Sequence, residues 1–258
     1  MSRDSTIADD FAGRVALVTG AAGDIGRAIV ATLAASGARV AASDLDGMPL
    51  PAGLAALTLP CDVGDTDAVE ALVDAVEREV GPIDHLAHAA GVLWVADAVD
   101  LADDDWDHCM RVNARGSFLI TRAVARRMVE RRRGSVVVVG SNAATAPRMG
   151  MAAYAASKAA VHQWVRCLAL ELAPLGIRCN LVSPGSTDTA MQRAFAATED
   201  DRQRILRGDP DRFRLGVPVG RIADPEDVAH AVAFLLSDRA RHIVLHDLRV
   251  DGGATLDG

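Results

Sequence analysis

Short apolar runs alternate with longer amphipathic stretches along most of the chain. The candidate strands are residues 14–19, 38–44, 57–63, 83–88, 135–141, 176–182 and 242–251. The candidate helices, with apolar residues at helical spacing, are residues 25–36, 68–80, 106–132, 154–172 and 225–236. This alternation predicts an α/β fold: a single Rossmann-type doubly wound domain with a central, about seven-stranded parallel sheet flanked by helices.

Two segments fall outside this alternation. Residues 1–12 are polar and predict a flexible N-terminal tail before a domain at 13–258. Residues 190–216 mix polar, charged and apolar side chains without a clear strand. Because this insertion follows the end of a strand, we expect residues 186–216 to form a lid over a site. The helical pattern of 106–132 is interrupted near 113–116.

Composition and charge narrow the classes of partner. Half of the residues are hydrophobic but only 3% are aromatic, so the core must consist of Ala, Val and Leu. The net charge of −8 argues against nucleic acid and anionic membranes. The first ten residues lack an apolar signal region and no run of apolar residues could span a membrane, which predicts a cytoplasmic protein. The dispersed cysteines, Cys61, Cys109, Cys167 and Cys179, predict reduced buried thiols and no metal site.

A glycine-rich turn, Gly20 to Gly26, lies between the first strand and the first helix. Glycines let the backbone approach a pyrophosphate, and the helix N-terminus supplies N–H groups and a positive dipole end. Asp44 ends the second strand, 18 residues after Gly26, where a carboxylate can accept from a ribose 2′-OH and repel a 2′-phosphate. Since the turn also carries no basic residue, we expect NAD as the cofactor.

Tyr154 and Lys158 stand at i and i+4 in a predicted helix, which places both side chains on one face. The ordinary pKa of tyrosine is about 10, and a neighbouring ammonium favours the phenolate. We therefore predict that Lys158 lowers the pKa of Tyr154 and makes the phenol a general base. Ser141, at the end of strand 135–141, can donate a hydrogen bond to an oxygen whose charge changes during a reaction.

Together these motifs resemble the short-chain dehydrogenase/reductase family over about residues 13–258. The resemblance implies a catalytic tetrad of Asn113, Ser141, Tyr154 and Lys158, in which Asn113 holds a helix kink and a water that links Lys158 to solvent. The implied cofactor positions are Gly20, Gly23, Asp24, Ile25, Gly26, Asp44, Leu45, Asp62, Val63, Ala90, Gly91, Tyr154, Lys158, Pro184, Gly185, Thr187 and Thr189.

The chain departs from the family motifs at two positions. Asp24 replaces the middle glycine of the TGxxxGxG turn, and Gly23 stands one residue earlier. We expect Asp24 to point away from the pyrophosphate or to cap the helix. His88 replaces the asparagine of an Asn-x-Ala-Gly motif. It either supplies that asparagine's structural hydrogen bonds or marks a changed adenine contact; we prefer the first and assign it no catalytic role.

Four further stretches, residues 146–154, 183–193, 213–218 and 242–256, resemble family members that oxidise a ring-hydroxylated cyclohexadiene carboxylate. A carboxylate substrate calls for a guanidinium, for which Arg148 is the first candidate and Arg193 and Arg214 are the next. The other implied substrate-binding residues are Ser141, Met149, Tyr154 and Gln192.

Three other functions stay open at this point. The diene could carry an amine in place of one hydroxyl, a difference that the sequence separates poorly. An ordinary ketoreductase running in the opposite direction is disfavoured by Asp44 and the candidate arginines. A non-catalytic NAD-binding protein is disfavoured by the intact tetrad. The resemblance also implies a homotetramer, with the last strand and helices near 103–132 and 151–172 at its interfaces.

Overall fold

The computed structural model describes residues 10–45 and 53–256. The central sheet contains the strands β1 (Val15–Thr19), β2 (Arg39–Asp44), β3 (Leu57–Pro60), β4 (Ile83–His88), β5 (Gly134–Val139), β6 (Ile177–Pro184) and β9 (Asp247–Val250). Their order is β3-β2-β1-β4-β5-β6-β9, and all neighbours pair in parallel. The predicted doubly wound, seven-stranded parallel sheet is therefore confirmed.

Helices cover both faces of the sheet. They are α1 (Asp24–Ala35), α2 (Thr66–Glu79), α3 (Asp103–Cys109), α4 (Gly116–Arg131), α5 (Ala152–Leu172) and α8 (Pro225–Leu236). Helices α2, α4 and α5 pack on one face, and α1 and α8 pack on the other. Strands buried on both faces need continuous apolar runs, which explains sequences such as Val136–Val139 in β5.

The helical pattern of 106–132 breaks where the sequence predicted it. A π-helical segment, Met110–Arg115, joins α3 to α4. Such a segment widens the helix and is frequent at functional sites. Here it turns the Asn113 side chain into the protein interior, where it is fully buried.

The predicted lid has more regular structure than its sequence suggested. It contains α6 (Ala190–Phe195), α7 (Glu199–Arg207) and a small antiparallel hairpin of β7 (Gly208–Asp209) and β8 (Arg214–Leu215). Its strands are two residues long, too short to produce the alternating pattern by which strands are recognised. The insertion covers the carboxyl end of β6.

Some predicted boundaries and burials were wrong. The last strand is Asp247–Val250 instead of 242–251, and β3 stops at Pro60. Residues 10–12 form a turn, and Phe11 is fully buried against His85, so the loose tail does not reach residue 12. The remainder of that predicted tail, residues 1–9, lies outside the described residues. Cys167 is exposed, although Cys61, Cys109 and Cys179 are buried as predicted, and all these thiols are free.

Where the chain is described, no helix has both the length and the hydropathy needed to cross a bilayer. Within the same residues, no group of three or more His, Cys, Asp or Glu side chains is placed to hold a metal ion.

Candidate active site

A cleft of about 440 Å³ opens at the carboxyl ends of β4, β5 and β6. Ligands of open α/β sheets bind at this end, at the point where the strand order reverses. Here the order reverses between β1 and β4. The lid closes the cleft on one side through Met191, Gln192, Phe195 and Ile205.

The glycine-rich turn is built for close backbone approach. Gly20 has a φ of +72°, and a Cβ there would collide with the backbone of Ala90. A Cβ at Gly26 would collide with the Gly20 carbonyl. Gly23 is the N-cap of α1, whose N-terminus has no side-chain cap. Its free N–H groups fit an anionic pyrophosphate, so these residues suit a dinucleotide.

Asp44 lies against this turn. Its Oδ2 accepts a hydrogen bond of 2.9 Å from the Ala22 N–H, and its Oδ1 accepts one of 2.7 Å from the Leu45 N–H. Asp62 follows β3 and accepts from Arg111 Nη1 at 2.7 Å and from the Gly64 N–H at 2.8 Å. Partial burial opposes ionisation of Asp62, but these hydrogen bonds outweigh it and hold the carboxyl pKa below its usual range.

Some of the remaining predicted cofactor positions line the cleft, and others lie outside its lining. Those lining the cleft are Ile25, Gly91, Pro184, Gly185, Thr187 and Thr189. Val63 is buried against Gly116, the first residue of α4, while Leu45 is exposed. Ala90 supports the glycine-rich turn at Gly20. Arg111 was not predicted; its spacing from Asp62 gave no signal, because the two residues are 49 apart in sequence.

Ser141, Tyr154 and Lys158 meet at the floor of the cleft. Ser141 follows β5; its hydroxyl accepts from the Ala143 N–H at 3.1 Å and lies near enough to the Tyr154 phenol to favour the phenolate. The Lys158 Nζ lies 5.8 Å from the centroid of the Tyr154 ring and donates a 2.9 Å hydrogen bond to the Val139 carbonyl. The spacing therefore brings together the three groups that the sequence singled out.

The direction of the Tyr154 pKa differs from the prediction. Burial in the cleft wall raises the pKa of Tyr154 above its usual value, although the neighbouring Ser141 hydroxyl opposes this. Burial also lowers the pKa of Lys158 to about 8. The ammonium is directed to the Val139 carbonyl instead of the phenol oxygen, so desolvation dominates for both groups.

Asn113 connects the kinked helix to the catalytic helix α5. Its Oδ1 accepts from the Val92 N–H at 2.8 Å, and its Nδ2 donates to the Val92 carbonyl at 2.9 Å. The same Nδ2 donates to the Ser157 hydroxyl at 2.9 Å. Ser157 lies between Tyr154 and Lys158 and donates to the Tyr154 carbonyl at 2.7 Å. Asn113 is thus held in a position that fixes the first turn of α5.

Arginines gather at the lid side of the cleft. Arg148 and Arg214 both line it, as do the predicted Met149 and Gln192. Arg214 donates to the Ser186 hydroxyl at 2.9 Å, and Arg148 donates to the Thr255 hydroxyl at 3.4 Å. Burial lowers the pKa of both guanidinium groups, and for Arg214 the next cause is the positive charge of Arg148.

The structure places Arg193 away from the cleft, and two arginines that line the cleft were not predicted. Arg193 is outside the cleft lining and pairs with Asp188 at 2.8 Å and with Asp24 at 3.5 Å. Arg204 and Arg212 line the cleft instead. Arg212 donates to the Met149 carbonyl at 3.2 Å. The close spacing of Arg212 and Arg214 was the available signal, but it could not show which side of the hairpin each faces.

The two departures from the family motifs have clear structural partners. Asp24 is the first residue of α1 but caps a different helix: its Oδ2 accepts from the Ala190 N–H, the first residue of α6, at 2.5 Å. His88 is buried, and both of its ring nitrogens are hydrogen-bonded, to Thr19 and Ser117. Burial, with a smaller contribution from the charge of Lys158, lowers the pKa of His88 to about 3.

Comparisons with known proteins agree with this architecture. The sequence profile of a family described as "Enoyl-(Acyl carrier protein) reductase" matches residues 20–255. The chain is 45% identical over 252 residues to a 2,3-dihydro-2,3-dihydroxybenzoate dehydrogenase of Bacillus subtilis, covering 95% of this chain and 97% of the relative. It is 40% identical over 247 residues to the protein of that name from Escherichia coli, covering 96% and 99%.

Among solved structures, the crystal structure of gox2181 is similar, with a TM-score of 0.84 and 33% identity over 96% of this chain and 97% of the other. The fold, the cleft and these matches agree over nearly the whole length. The chain therefore belongs to the short-chain dehydrogenase/reductase family of oxidoreductases, whose members use a nicotinamide cofactor.

Proposed function

We propose that this protein is an NAD-dependent dehydrogenase that oxidises 2,3-dihydro-2,3-dihydroxybenzoate to 2,3-dihydroxybenzoate, in siderophore or related aryl-acid biosynthesis. The observation that carries the proposal is the pair of partly buried guanidinium groups, Arg148 and Arg214, in the same cleft as Ser141 and Tyr154. Two like charges held together in a cleft call for an anion. The names of the relatives support a carboxylated cyclohexadiene diol as that anion.

The chain's own residues supply orientation and proton handling. A nicotinamide held at the glycine-rich turn and Lys158 would supply the acceptor for the hydride of the substrate carbon that carries the hydroxyl. Tyr154, as the phenolate, removes the hydroxyl proton, and Ser141 donates a hydrogen bond to the same oxygen. Lys158 stabilises the phenolate and would hold the ribose of the cofactor. The ring ketone that results can tautomerise to an aromatic ring, which makes the oxidation favourable.

The raised pKa of Tyr154 is compatible with this role. A phenol that is costly to ionise in the cleft becomes easier to ionise once positive charge approaches it. Lys158 can supply that charge. Its Nζ donates a hydrogen bond to the Val139 carbonyl instead of to the phenol oxygen. This supports a base whose ionisation depends on completion of the site by its ligands.

Asp44 supports NAD over NADP. Its carboxylate is fixed by the Ala22 and Leu45 N–H groups at the glycine-rich turn. A fixed carboxylate can accept from a ribose 2′-OH and repels a 2′-phosphate. Asp44→Ser is expected to reduce the ratio of kcat/KM with NAD to that with NADP, and an unchanged ratio would argue against this role.

The test of the reaction is a steady-state assay of NADH formation. It compares 2,3-dihydro-2,3-dihydroxybenzoate with 2,3-dihydro-3-hydroxyanthranilate, whose oxidation gives 3-hydroxyanthranilate. We expect the dihydroxy diene to have the higher kcat/KM. Tyr154→Phe is expected to lower kcat by about 100- to 10,000-fold because the base is removed.

The result that contradicts the proposal is oxidation at the parent rate by Tyr154→Phe, or a higher kcat/KM for the amino diene. Reduction of a simple ketone that is faster than either oxidation would point to a ketoreductase. A matched control is Cys167→Ala, an exposed residue on the same helix, which should leave kcat unchanged.

We also propose that the protein acts in the cytoplasm as a homotetramer. Exposed apolar side chains on the segments named above support self-association: Trp106 on α3, Leu170 on α5 and Leu245 before β9. Burying such side chains between copies removes apolar area from water. Light scattering should give four times the 27.0 kDa chain mass, and a monomer would contradict the assembly.

A further inference from the structure

His88 takes no part in the mechanism above, yet it lies next to the catalytic residues. It is the last residue of β4, it is 1% exposed, and it pairs in register with Thr19 at the end of β1. Its Nδ1 is 2.7 Å from the Thr19 hydroxyl oxygen, and its Nε2 is 2.9 Å from that of Ser117 on α4. The imidazole therefore bridges the sheet to the helix that follows the kink.

The hydrogen bonds at Ser117 fix the tautomer of His88. The Ser117 hydroxyl donates its single proton to the Asn113 carbonyl at 2.6 Å. Its oxygen must then accept from His88, which requires a proton on Nε2. The Nδ1 lone pair is left to accept from the Thr19 hydroxyl. Each hydroxyl and ring nitrogen then has a hydrogen-bond partner, and the donors point in one direction, from Thr19 through His88 and Ser117 to Asn113. Hydrogen bonds linked in such a chain strengthen one another.

The chain of hydrogen bonds ends at the kink that carries Asn113. The Asn113 carbonyl belongs to the π-helical segment Met110–Arg115, where the regular helical ladder is interrupted. The side chain of Asn113 holds Ser157 on α5, in the turn between Tyr154 and Lys158. A displacement of the kink is therefore transmitted to the two residues on which the proposed chemistry depends.

We propose that His88, as the neutral Nε2-protonated tautomer, is a positioning residue: through Ser117 it fixes the Asn113 kink and so sets the placement of Tyr154 relative to Ser141 and Lys158. The proposal rests on the role of Tyr154 as the base under the proposed function, but not on the identity of the substrate. An asparagine at position 88 has a shorter side chain, so we expect that it would not reach both Thr19 and Ser117 as the imidazole does.

The test uses a feature of the composition: Tyr154 is the only tyrosine in the chain. The ultraviolet absorbance of tyrosinate therefore titrates this one phenol in the full-length protein, without substrate or cofactor. The groups named as acting on that phenol are Ser141 and Cys109, with Lys158 beside the ring. Each variant below leaves all of them in the sequence.

We expect His88→Leu and Ser117→Ala to raise the apparent pKa of Tyr154 by about one unit, because a loosened kink moves the phenol away from Ser141, the hydroxyl that favours the phenolate. The double variant should shift it no further, since both changes break the same chain. His88→Gln should restore most of the parent value, because its longer amide places an N–H near the Nε2 position. His88→Asn should not.

Ser135→Ala is the matched control, because Ser135 is a buried serine at the start of β5 whose hydroxyl has no partner among the described residues. It should leave the pKa of Tyr154 unchanged. If His88→Leu does not fold, Ser117→Ala carries the test. A Tyr154 pKa that stays at the parent value in folded Ser117→Ala, even with a lower melting temperature, means a merely structural role and overturns the proposal.

In variants that remain active, the acidic limb of the pH profile of kcat should shift in the same direction as the pKa of Tyr154. If the parent oxidises neither diene but the tyrosinate titration shifts as expected, the positioning role stands and only the proposed substrate fails. If the parent is active and the titration does not move in any folded variant, the positioning role fails and the proposed function stands.

Discussion

Arg148 and Arg214 hold two positive charges in one cleft, an arrangement that a bound anion would stabilise. Each guanidinium donates to a neutral hydroxyl, on Thr255 or Ser186, and each has a pKa lowered by burial. Asp251 favours the charge of Arg148 and Asp209 favours that of Arg214, but burial outweighs both. A buried charge that is incompletely paired is costly, and a bound carboxylate would relieve that cost. The same residues are therefore expected to stabilise the complex more than the free protein.

Replacement of Arg214 tests this expectation. Arg214→Leu should raise KM for the carboxylated diene by about 10- to 100-fold, the effect of losing a charge-assisted hydrogen bond, with a smaller change in kcat. A cyclohexadiene diol without the carboxylate should show no such difference. Arg193→Leu, outside the cleft, is the control and should retain the parent KM. Equal effects of the two variants would contradict an anion site at Arg214.

At the scale of single residues, the sequence identified which residue types form the site better than it gave their pKa values and orientations. Spacing put Tyr154 and Lys158 on one side of a helix, because i and i+4 share a face, and Ser141 was identified from its position at the end of a strand. It did not give the direction of the Tyr154 pKa, which depends on how much water the fold removes. Nor did it separate Arg193 from Arg212, because facing inward or outward is decided by the lid as a whole.

At the scale of elements, the lid is fastened to the glycine-rich turn. Asp24 lies 33% exposed at the start of α1 and accepts from the first N–H of α6, and it is also paired with Arg193. The hydroxyl of Thr189 caps the same helix by accepting from the Gln192 N–H. Because α6 has only six residues, its own hydrogen bonds are few and these caps matter more than in a long helix.

Removal of the Asp24 carboxylate should loosen the lid. A lost cap costs about 1 kcal/mol, which corresponds to an increase of about fivefold in local opening. Hydrogen–deuterium exchange of the Ala190 and neighbouring amides should therefore be about five times faster in Asp24→Ala.

Asp188→Asn is the matched control for this measurement. It breaks the exposed ion pair with Arg193 but leaves the bond between Asp24 and Ala190. Exposed pairs contribute little, so exchange should stay near the parent rate. Equal acceleration in both variants would assign the restraint to Arg193 instead of the cap.

At the scale of the whole molecule, three buried histidines make the fold sensitive to acid. Burial lowers the pKa of His85 to about 4, of His88 to about 3 and of His162 to about 4. The ordinary value of 6.5 applies in the unfolded chain. Between that value and pH 4 the unfolded state binds more protons, so the free energy of unfolding falls as the pH falls.

His85→Leu isolates one of these contributions. Neither ring nitrogen of His85 has a hydrogen-bond partner among the described residues, so the change removes a titration without breaking a bond. Urea unfolding at pH 7, 6 and 5, at one protein concentration, should show a slope shallower by up to about 1.4 kcal/mol per pH unit. An unchanged slope in His85→Leu would contradict a buried neutral imidazole.

The sequence by itself determined the features that depend on neighbours along the chain. Periodicity and turn chemistry gave the seven-stranded parallel sheet, the glycine-rich turn before α1, the break at Asn113 and the spacing of Tyr154 and Lys158. Each is decided within a few residues, by side-chain direction or backbone freedom.

The tertiary structure decided what depends on residues distant in sequence. Asp24 and Ala190 are 166 residues apart, and only the fold places that carboxylate at the start of the lid helix. The same holds for the path from Thr19 through His88 to Asn113, and for the burial that sets the pKa of Tyr154 and Lys158. A local pattern can supply such groups, but their partners and their hydration exist only once the chain is packed.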